Sequence, residues 1–125
     1  MRELFFVYGT LKKGYGNNVL LADSKFLGQA VTKKLYKLYN CGFPMAYPSV
    51  VGLPVVGELY EVVSTRVIET LDYLESNGSL YTRAKLPVSY KGGEEEAWIY
   101  EGTPWHNNPS LCPIHPEQEA YWWFR

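Results

Sequence analysis

The chain has 125 residues, of which 46% are hydrophobic and 16% aromatic; this is enough for one buried core and too short for two typical domains. Its 12 basic and 13 acidic residues leave a formal charge of −1, so it has no strong field to collect nucleic acid or an anionic membrane. No apolar run approaches the roughly 20 residues that span a bilayer. The two cysteines are too few for a disulfide scaffold and suit a reducing compartment. We therefore expect one cytoplasmic domain over residues 1–125 that acts on a small molecule or a protein, with neither nucleic acid nor membrane as its partner.

The N-terminal segment predicts a buried strand followed by a glycine turn. The apolar run Leu4-Phe5-Phe6-Val7 leads directly into Tyr8-Gly9-Thr10-Leu11-Lys12. Gly9 has no side chain to keep a ligand away from the backbone, and successive N–H groups in such a turn converge on a carboxylate. A turn of this kind can equally be structural, and the turn alone does not decide between the two interpretations. A short helix over residues 17–21 is expected to follow it.

A second segment predicts a helix that carries an acid on its buried face. Ser64 is a typical N-cap residue, and apolar residues at helical spacing follow it through residue 74. Glu75 shares the apolar face with Leu71, four residues earlier, while Asp72 is expected to point sideways or outward. Burial and the negative end of the helix dipole both raise the pKa of such a carboxyl, as in acids that transfer protons. The alternative is that the helix ends at Glu75, before the stop signal of residues 76–79, with this side chain in water.

Strand signals dominate the rest of the chain, because aromatic and β-branched residues are concentrated in short segments bounded by turn residues. The proline-rich residues 41–54 predict an irregular or extended connection, and Lys91-Gly92-Gly93 predicts a hairpin turn. Many short strands with one main helix favour an α+β fold, a small and mostly antiparallel barrel. The predicted strand segments are residues 26–40 (two strands), 55–63, 80–90 and 95–100.

Three other patterns give weaker signals. Gly9 and Gly14 have the glycine spacing of a P-loop, but Tyr15-Gly16 occupies the positions of its Lys and Ser/Thr. The aromatic tail within residues 102–125 is expected to cover an open face of the barrel, with docking of a protein partner or self-association as the alternative. We expect no metal and no cofactor. The candidate metal ligands lie in a proline-broken tail without a second well-spaced pair: they are His106, Cys112 and His115.

Three motifs follow one another along the chain within residues 4–101. They are Phe6-Val7-Tyr8-Gly9-Thr10-Leu11-Lys12, Val56-Gly57-Glu58-Leu59-Tyr60-Glu61-Val62, and Leu71-Asp72-Tyr73-Leu74-Glu75 followed by Leu80-Tyr81-Thr82-Arg83. In combination they resemble the gamma-glutamyl cyclotransferase-like (AIG2-like) family, and within it the gamma-glutamylamine cyclotransferases. The resemblance implies the barrel fold for residues 4–101 and leaves the tail 102–125 unmatched.

The resemblance also implies an activity, the conversion of a gamma-glutamyl amine or amide to 5-oxoproline and a free amine without a cofactor. In that family the glutamate matching Glu75 is the general acid/base, which would take the ammonium proton of the substrate and later protonate the leaving amine. Glu58 is the second candidate acid, although a structural hydrogen-bonding role is favoured for it. The alternative is a catalytically silent barrel of the same fold that binds a small acidic ligand or a protein partner. The residues expected to bind the substrate are Tyr8, Gly9, Thr10 and Leu11 in the turn, with Tyr81 and Arg83 as wall residues.

Overall fold

The computed structural model describes residues 3–9, 11–12, 14, 16–40, 44–75, 81–102 and 112–113. Strands dominate this part of the chain, as the aromatic and β-branched segments predict. Its helices are short, and none of those in the described ranges is both long and apolar enough to cross a membrane. The elements are, in chain order, β1 Glu3–Val7, a 3₁₀ helix Gly16–Leu21, β2 Lys25–Thr32, β3 Tyr36–Asn40, β4 Pro44–Pro48, β5 Val56–Val62, α1 Thr65–Leu74, β6 Tyr81–Tyr90, β7 Gly93–Gly102 and β8 Cys112–Pro113.

Five strands close into a barrel in the order β1-β5-β2-β6-β7. Neighbouring strands are antiparallel, except that β1 and β7 run parallel and close the barrel where Phe5 lies opposite Trp98. The hairpin between β6 and β7 turns at Lys91 and Gly92, whose positive φ angles of 49° and 77° are typical of a tight two-residue turn. The predicted fold class, a small and mostly antiparallel barrel with one main helix, is confirmed.

The side chains of β1 alternate between two apolar cores, because successive residues of a strand point to opposite faces. Leu4 and Phe6 belong to the core inside the barrel. Phe5 and Val7 belong to a second core outside it, which also contains Leu71 of α1. The helix is therefore packed against the outer face of the barrel, and the end of β1 lies between the two cores.

A second sheet, in the order β4-β3-β8, accompanies the barrel. Its strand β4, Pro44–Pro48, lies within residues 41–54, which were expected to form an irregular or extended connection. These five residues instead form a regular strand. β4 pairs with β3 in a regular antiparallel register, from Tyr36 opposite Pro48 to Asn40 opposite Pro44. Proline is tolerated here because β4 is an edge strand and the two prolines occupy its first and last positions.

Candidate active site

The helix α1 begins and ends where the sequence predicts, and its end delivers Glu75 to the barrel. The Ser64 side chain accepts a hydrogen bond from the Val67 N–H at 3.4 Å, which caps the first turn. Ile68 and Leu71 are the buried residues of the helix. Glu75 is the C-cap residue, and its N–H donates to the Leu71 carbonyl at 3.0 Å. The last turn therefore continues through Glu75 and holds it on the side of the helix that packs against the barrel.

The carboxyl of Glu75 is largely removed from water and is easily protonated. Burial raises its pKa from 4.5 to about 7, in the direction that the sequence predicts. The pKa of the Tyr8 phenol is raised mainly by burial and next by the charge of Glu75. Burial and a hydrogen bond to Asp72 raise the pKa of Tyr100, and the Glu75 charge adds to that shift. Glu75 is thus placed near the end of β1 and near β7, with a carboxyl that can both accept and donate a proton near neutral pH.

Tyr8 starts the turn after β1, and its side chain points into the barrel rather than toward a ligand. The phenol donates to the Tyr100 carbonyl at 2.6 Å and accepts a hydrogen bond from the Ala46 N–H at 3.3 Å. The residue is 6% exposed and belongs to the core inside the barrel. Tyr8 therefore anchors the turn to β7 and to β4.

The turn itself is closed by a main-chain hydrogen bond from the Lys12 N–H to the Gly9 carbonyl at 3.0 Å. Leu11 is buried in the outer core, and Gly9 is partly exposed. Thr10, also predicted to bind the substrate, lies outside the described residues. The turn thus presents a partly exposed glycine backbone directly after β1.

The two predicted wall residues lie on β6, next to α1 and β7. Tyr81 is buried in the outer core with Leu71 and Tyr100. The Nε atom of Arg83 lies 3.2 Å from Oδ1 of Asp72, and its guanidinium lies 4.4 Å from the centre of the Trp98 ring. The structure therefore brings Tyr81 and Arg83 to the face of the barrel that α1 covers.

Two site-shaping residues were missed by sequence reasoning. Asp72 was expected to point sideways or outward, which was wrong: it faces the barrel, where it accepts a 2.6 Å hydrogen bond from the Tyr100 phenol as well as the contact of Arg83. Lys12 follows the predicted substrate-binding turn and was given no role, yet it is 6% exposed. Their partners lie far away along the chain, so a local pattern gave no signal for either.

Of the candidate metal ligands of the tail, His106 and His115 lie outside the described residues, and Cys112 lies in the two-residue strand β8. Among the residues that are described, no group of three or more His, Cys, Asp or Glu side chains converges as metal ligands would. The aromatic tail beyond Gly102, apart from the two residues of β8, also lies outside the described residues.

The comparisons with known proteins agree with the fold and with the motifs. A family model described as gamma-glutamyl cyclotransferase, AIG2-like, matches residues 5–123. A provisionally named gamma-glutamylcyclotransferase of Methanocaldococcus jannaschii is 37% identical over 121 residues, which cover 95% of each chain. The gamma-glutamylaminecyclotransferase of Bos taurus is 37% identical over 107 residues, which cover 76% of this chain and 62% of the bovine one.

Two solved structures share the fold of this chain. The crystal structure of an AIG2-like protein from Mus musculus matches with a TM-score of 0.77 and 28% identity, over 96% of this chain and 88% of that one. An uncharacterised protein from Pyrococcus horikoshii matches with a TM-score of 0.68 and 28% identity, over 90% of this chain and 85% of that one. The chain belongs to the gamma-glutamyl cyclotransferase, AIG2-like family.

Proposed function

We propose that this protein converts a gamma-glutamyl amine or amide to 5-oxoproline and a free amine, with Glu75 as general acid/base. The observation that supports the proposal best is the largely buried carboxyl of Glu75. Its pKa is raised to about 7, and its charge acts on the phenol of Tyr8, the first residue after β1. Relatives that share the family are named for this reaction, and the bovine one for gamma-glutamylamines.

The reaction needs little beyond orientation and proton transfer, because the substrate contains its own nucleophile. The alpha-amine attacks the gamma carbonyl, a new C–N bond closes the five-membered ring, and the bond to the departing amine breaks. Holding the chain in the folded conformation can account for roughly 7–11 kcal/mol of barrier lowering. The alpha nitrogen begins as an ammonium with three protons and ends as the lactam N–H with one, so two protons must leave it. One of them goes to the leaving nitrogen, and the other passes to the free amine, which becomes an ammonium, or to water.

Glu75 suits both proton transfers. With a pKa of about 7, comparable fractions of the carboxylate and of the carboxylic acid are present at neutral pH. The carboxylate takes the ammonium proton, and the acid formed in that step protonates the leaving amine. A positioned group of this kind contributes about 10²- to 10⁴-fold in rate. The first proton that leaves the nucleophile therefore reaches the leaving group through Glu75, and the carboxylate is regenerated. That carboxylate can then take the second proton from the ring nitrogen and pass it to the free amine or to water.

The turn after β1 is proposed to hold the alpha-carboxylate of the substrate. Main-chain N–H groups in a glycine turn can converge on an anion, and Gly9 lets the ligand approach the backbone. Tyr8 and Leu11 contribute their main chains, since both side chains are buried in the two cores. Tyr81 and Arg83 are proposed to line the wall on the side of β6.

The test is a measurement of 5-oxoproline release from a panel of gamma-glutamyl compounds by the parent protein and by Glu75→Gln. The glutamine has the shape of the glutamate but cannot accept the ammonium proton, so we expect at least a hundredfold loss of rate with binding of 5-oxoproline retained. Glu69→Gln, an exposed position of the same helix, is the matched control and should have the parent's rate. Equal rates for the parent and Glu75→Gln would refute the role of Glu75. A parent that neither turns over any compound nor binds 5-oxoproline in calorimetry would instead favour a silent barrel.

A further inference from the structure

A side chain of the 3₁₀ helix Gly16–Leu21 forms a hydrogen bond with the main chain of the turn after β1. The Nδ2 atom of Asn18 donates to the Leu11 carbonyl at 2.8 Å and to the Tyr60 phenol oxygen at 2.9 Å. A side-chain amide nitrogen carries two N–H groups, and both are accounted for by these two bonds. Asn18 therefore joins the end of the turn to β5.

The peptide bond that Asn18 contacts is also fixed from its other side. The Leu11 carbonyl and the Lys12 N–H belong to the same planar peptide unit. Asn18 binds the carbonyl, and the N–H donates to the Gly9 carbonyl at 3.0 Å. With both polar atoms bound, this peptide unit cannot rotate without breaking a hydrogen bond, so its orientation in the turn is set.

Glu58 of β5 is a hydrogen-bond partner of Tyr60 and also acts electrostatically on Lys12. Tyr60 donates to Oε1 of Glu58 at 3.2 Å, and Glu58 lies opposite Val7, the last residue of β1. Burial lowers the pKa of Lys12, and the charge of Glu58 opposes that shift. We call these four residues, Lys12, Asn18, Glu58 and Tyr60, the turn clamp. In this group Glu58 accepts the hydrogen bond of Tyr60.

We propose that Asn18 is a positioning residue that holds the Leu11–Lys12 peptide, and through it the turn, in the orientation that binds the glutamyl carboxylate. The inference rests on the proposed function of the turn and extends it to a residue outside the turn. A donor array that is already oriented binds an anion without having to be ordered first. Releasing the peptide should therefore weaken substrate and transition state alike, which raises KM and leaves kcat unchanged.

The experiment compares Asn18→Ala with the parent. We expect Kd for 5-oxoproline and KM for the substrate to rise about tenfold, the equivalent of roughly one hydrogen bond, with kcat within about twofold and its pH profile unmoved, because Glu75 is untouched. In the unliganded protein, hydrogen exchange at the Lys12 amide should accelerate by about the same factor. This second readout depends on neither substrate nor product.

Tyr90→Phe is the matched control. It also removes a side-chain hydrogen bond to a main-chain carbonyl, from Tyr90 to Leu27 at 2.8 Å, but on β2 and β6 rather than at the turn. It should lower the melting temperature without changing Kd, KM or exchange at Lys12. If Asn18→Ala does not fold, Tyr60→Phe is the second variant, because it removes the phenol oxygen that accepts a hydrogen bond from Asn18. We expect it to raise Kd and the exchange rate at Lys12 by a smaller factor.

Parent-like Kd and parent-like Lys12 exchange in Asn18→Ala would overturn the inference. So would an equal rise of Kd in Tyr90→Phe, because the effect would then reflect general loss of stability. If the parent itself neither binds 5-oxoproline nor forms it, the proposed function is wrong, and so is the assignment of the glutamyl carboxylate as the ligand of the turn. Exchange at Lys12 still decides, on its own, whether Asn18 holds the turn.

Discussion

The Tyr100 phenol donates a 2.6 Å hydrogen bond to Oδ1 of Asp72, and Asp72 lies three residues before Glu75 on α1. The same oxygen lies 3.2 Å from Nε of Arg83. Two neighbouring strands, β6 and β7, thus bind one carboxylate of the helix. The last turn of α1, which presents Glu75, is tied to the barrel at this point.

The first prediction concerns this tie. Asp72→Ala should lower the free energy of unfolding by about 1–3 kcal/mol, because it leaves the Tyr100 hydroxyl and the Arg83 guanidinium without their shared acceptor. A double-mutant cycle with Tyr100→Phe should give a coupling energy of at least about 0.5 kcal/mol. The coupling energy is measured by urea denaturation of the parent, of both single variants and of the double variant. Additive effects of the two substitutions would mean that the hydrogen bond does not tie the helix.

The second prediction concerns pH and stability. The pKa of Glu75 is raised to about 7 by burial, so the folded protein binds this proton more tightly than the unfolded chain. The contribution of Glu75 to the free energy of unfolding should therefore be fully present below pH 4.5 and should be lost as pH rises through about 7, a difference of at most about 3 kcal/mol. Glu75→Gln has no such proton to lose, and it should be more stable than the parent at pH 8.

Urea denaturation of the parent and Glu75→Gln between pH 4.5 and pH 8.5 checks this dependence. The difference between the two proteins should grow as pH rises, and Glu69→Gln should follow the parent at every pH. Parallel curves for the parent and Glu75→Gln would show that the carboxyl is not destabilised by burial.

The third prediction concerns the strand that leads into the turn. At Gly57 on β5 a Cβ atom would collide with the Val7 carbonyl oxygen and with the Phe6 ring. Gly57→Ala should therefore push β1 away from β5 just before the turn and lower stability by about 1–3 kcal/mol, as overpacking does. Gly16→Ala is the control, because the space around Gly16 is open. A melting temperature of Gly57→Ala equal to that of Gly16→Ala would contradict the close approach of the two strands.

Local pattern was sufficient for the elements that carry the candidate site. The spacing of Ile68 and Leu71 predicts the buried face of α1, and the position of Glu75 after them predicts its burial and the direction of its pKa shift. The alternation of β1 places Leu4, Phe6 and Tyr8 on one face, which is the inside of the barrel. These features depend on neighbours along the chain, so the sequence alone contains them.

The polar partners of the site could not be predicted in this way. Asp72 was expected to point sideways or outward because helical spacing places it off the apolar face of α1. Its partners, Tyr100 and Arg83, come from strands whose register against α1 is set only by the closed barrel. Asn18 and Lys12 were missed for the same reason, since Tyr60 and Glu58 meet them through the pairing of β1 with β5. The Thr10 prediction stays a prediction.

The central claim is that Glu75 is the base of ring closure, and the pH dependence of kcat/KM for 5-oxoproline formation tests it most directly. Only the ionised carboxylate can take the ammonium proton, so kcat/KM should fall about tenfold per pH unit below a pKa of about 7. Glu69→Gln should reproduce this profile. A rate that is constant from pH 5.5 to pH 8, or a fall centred near the ordinary glutamate pKa of about 4.3, would contradict the account.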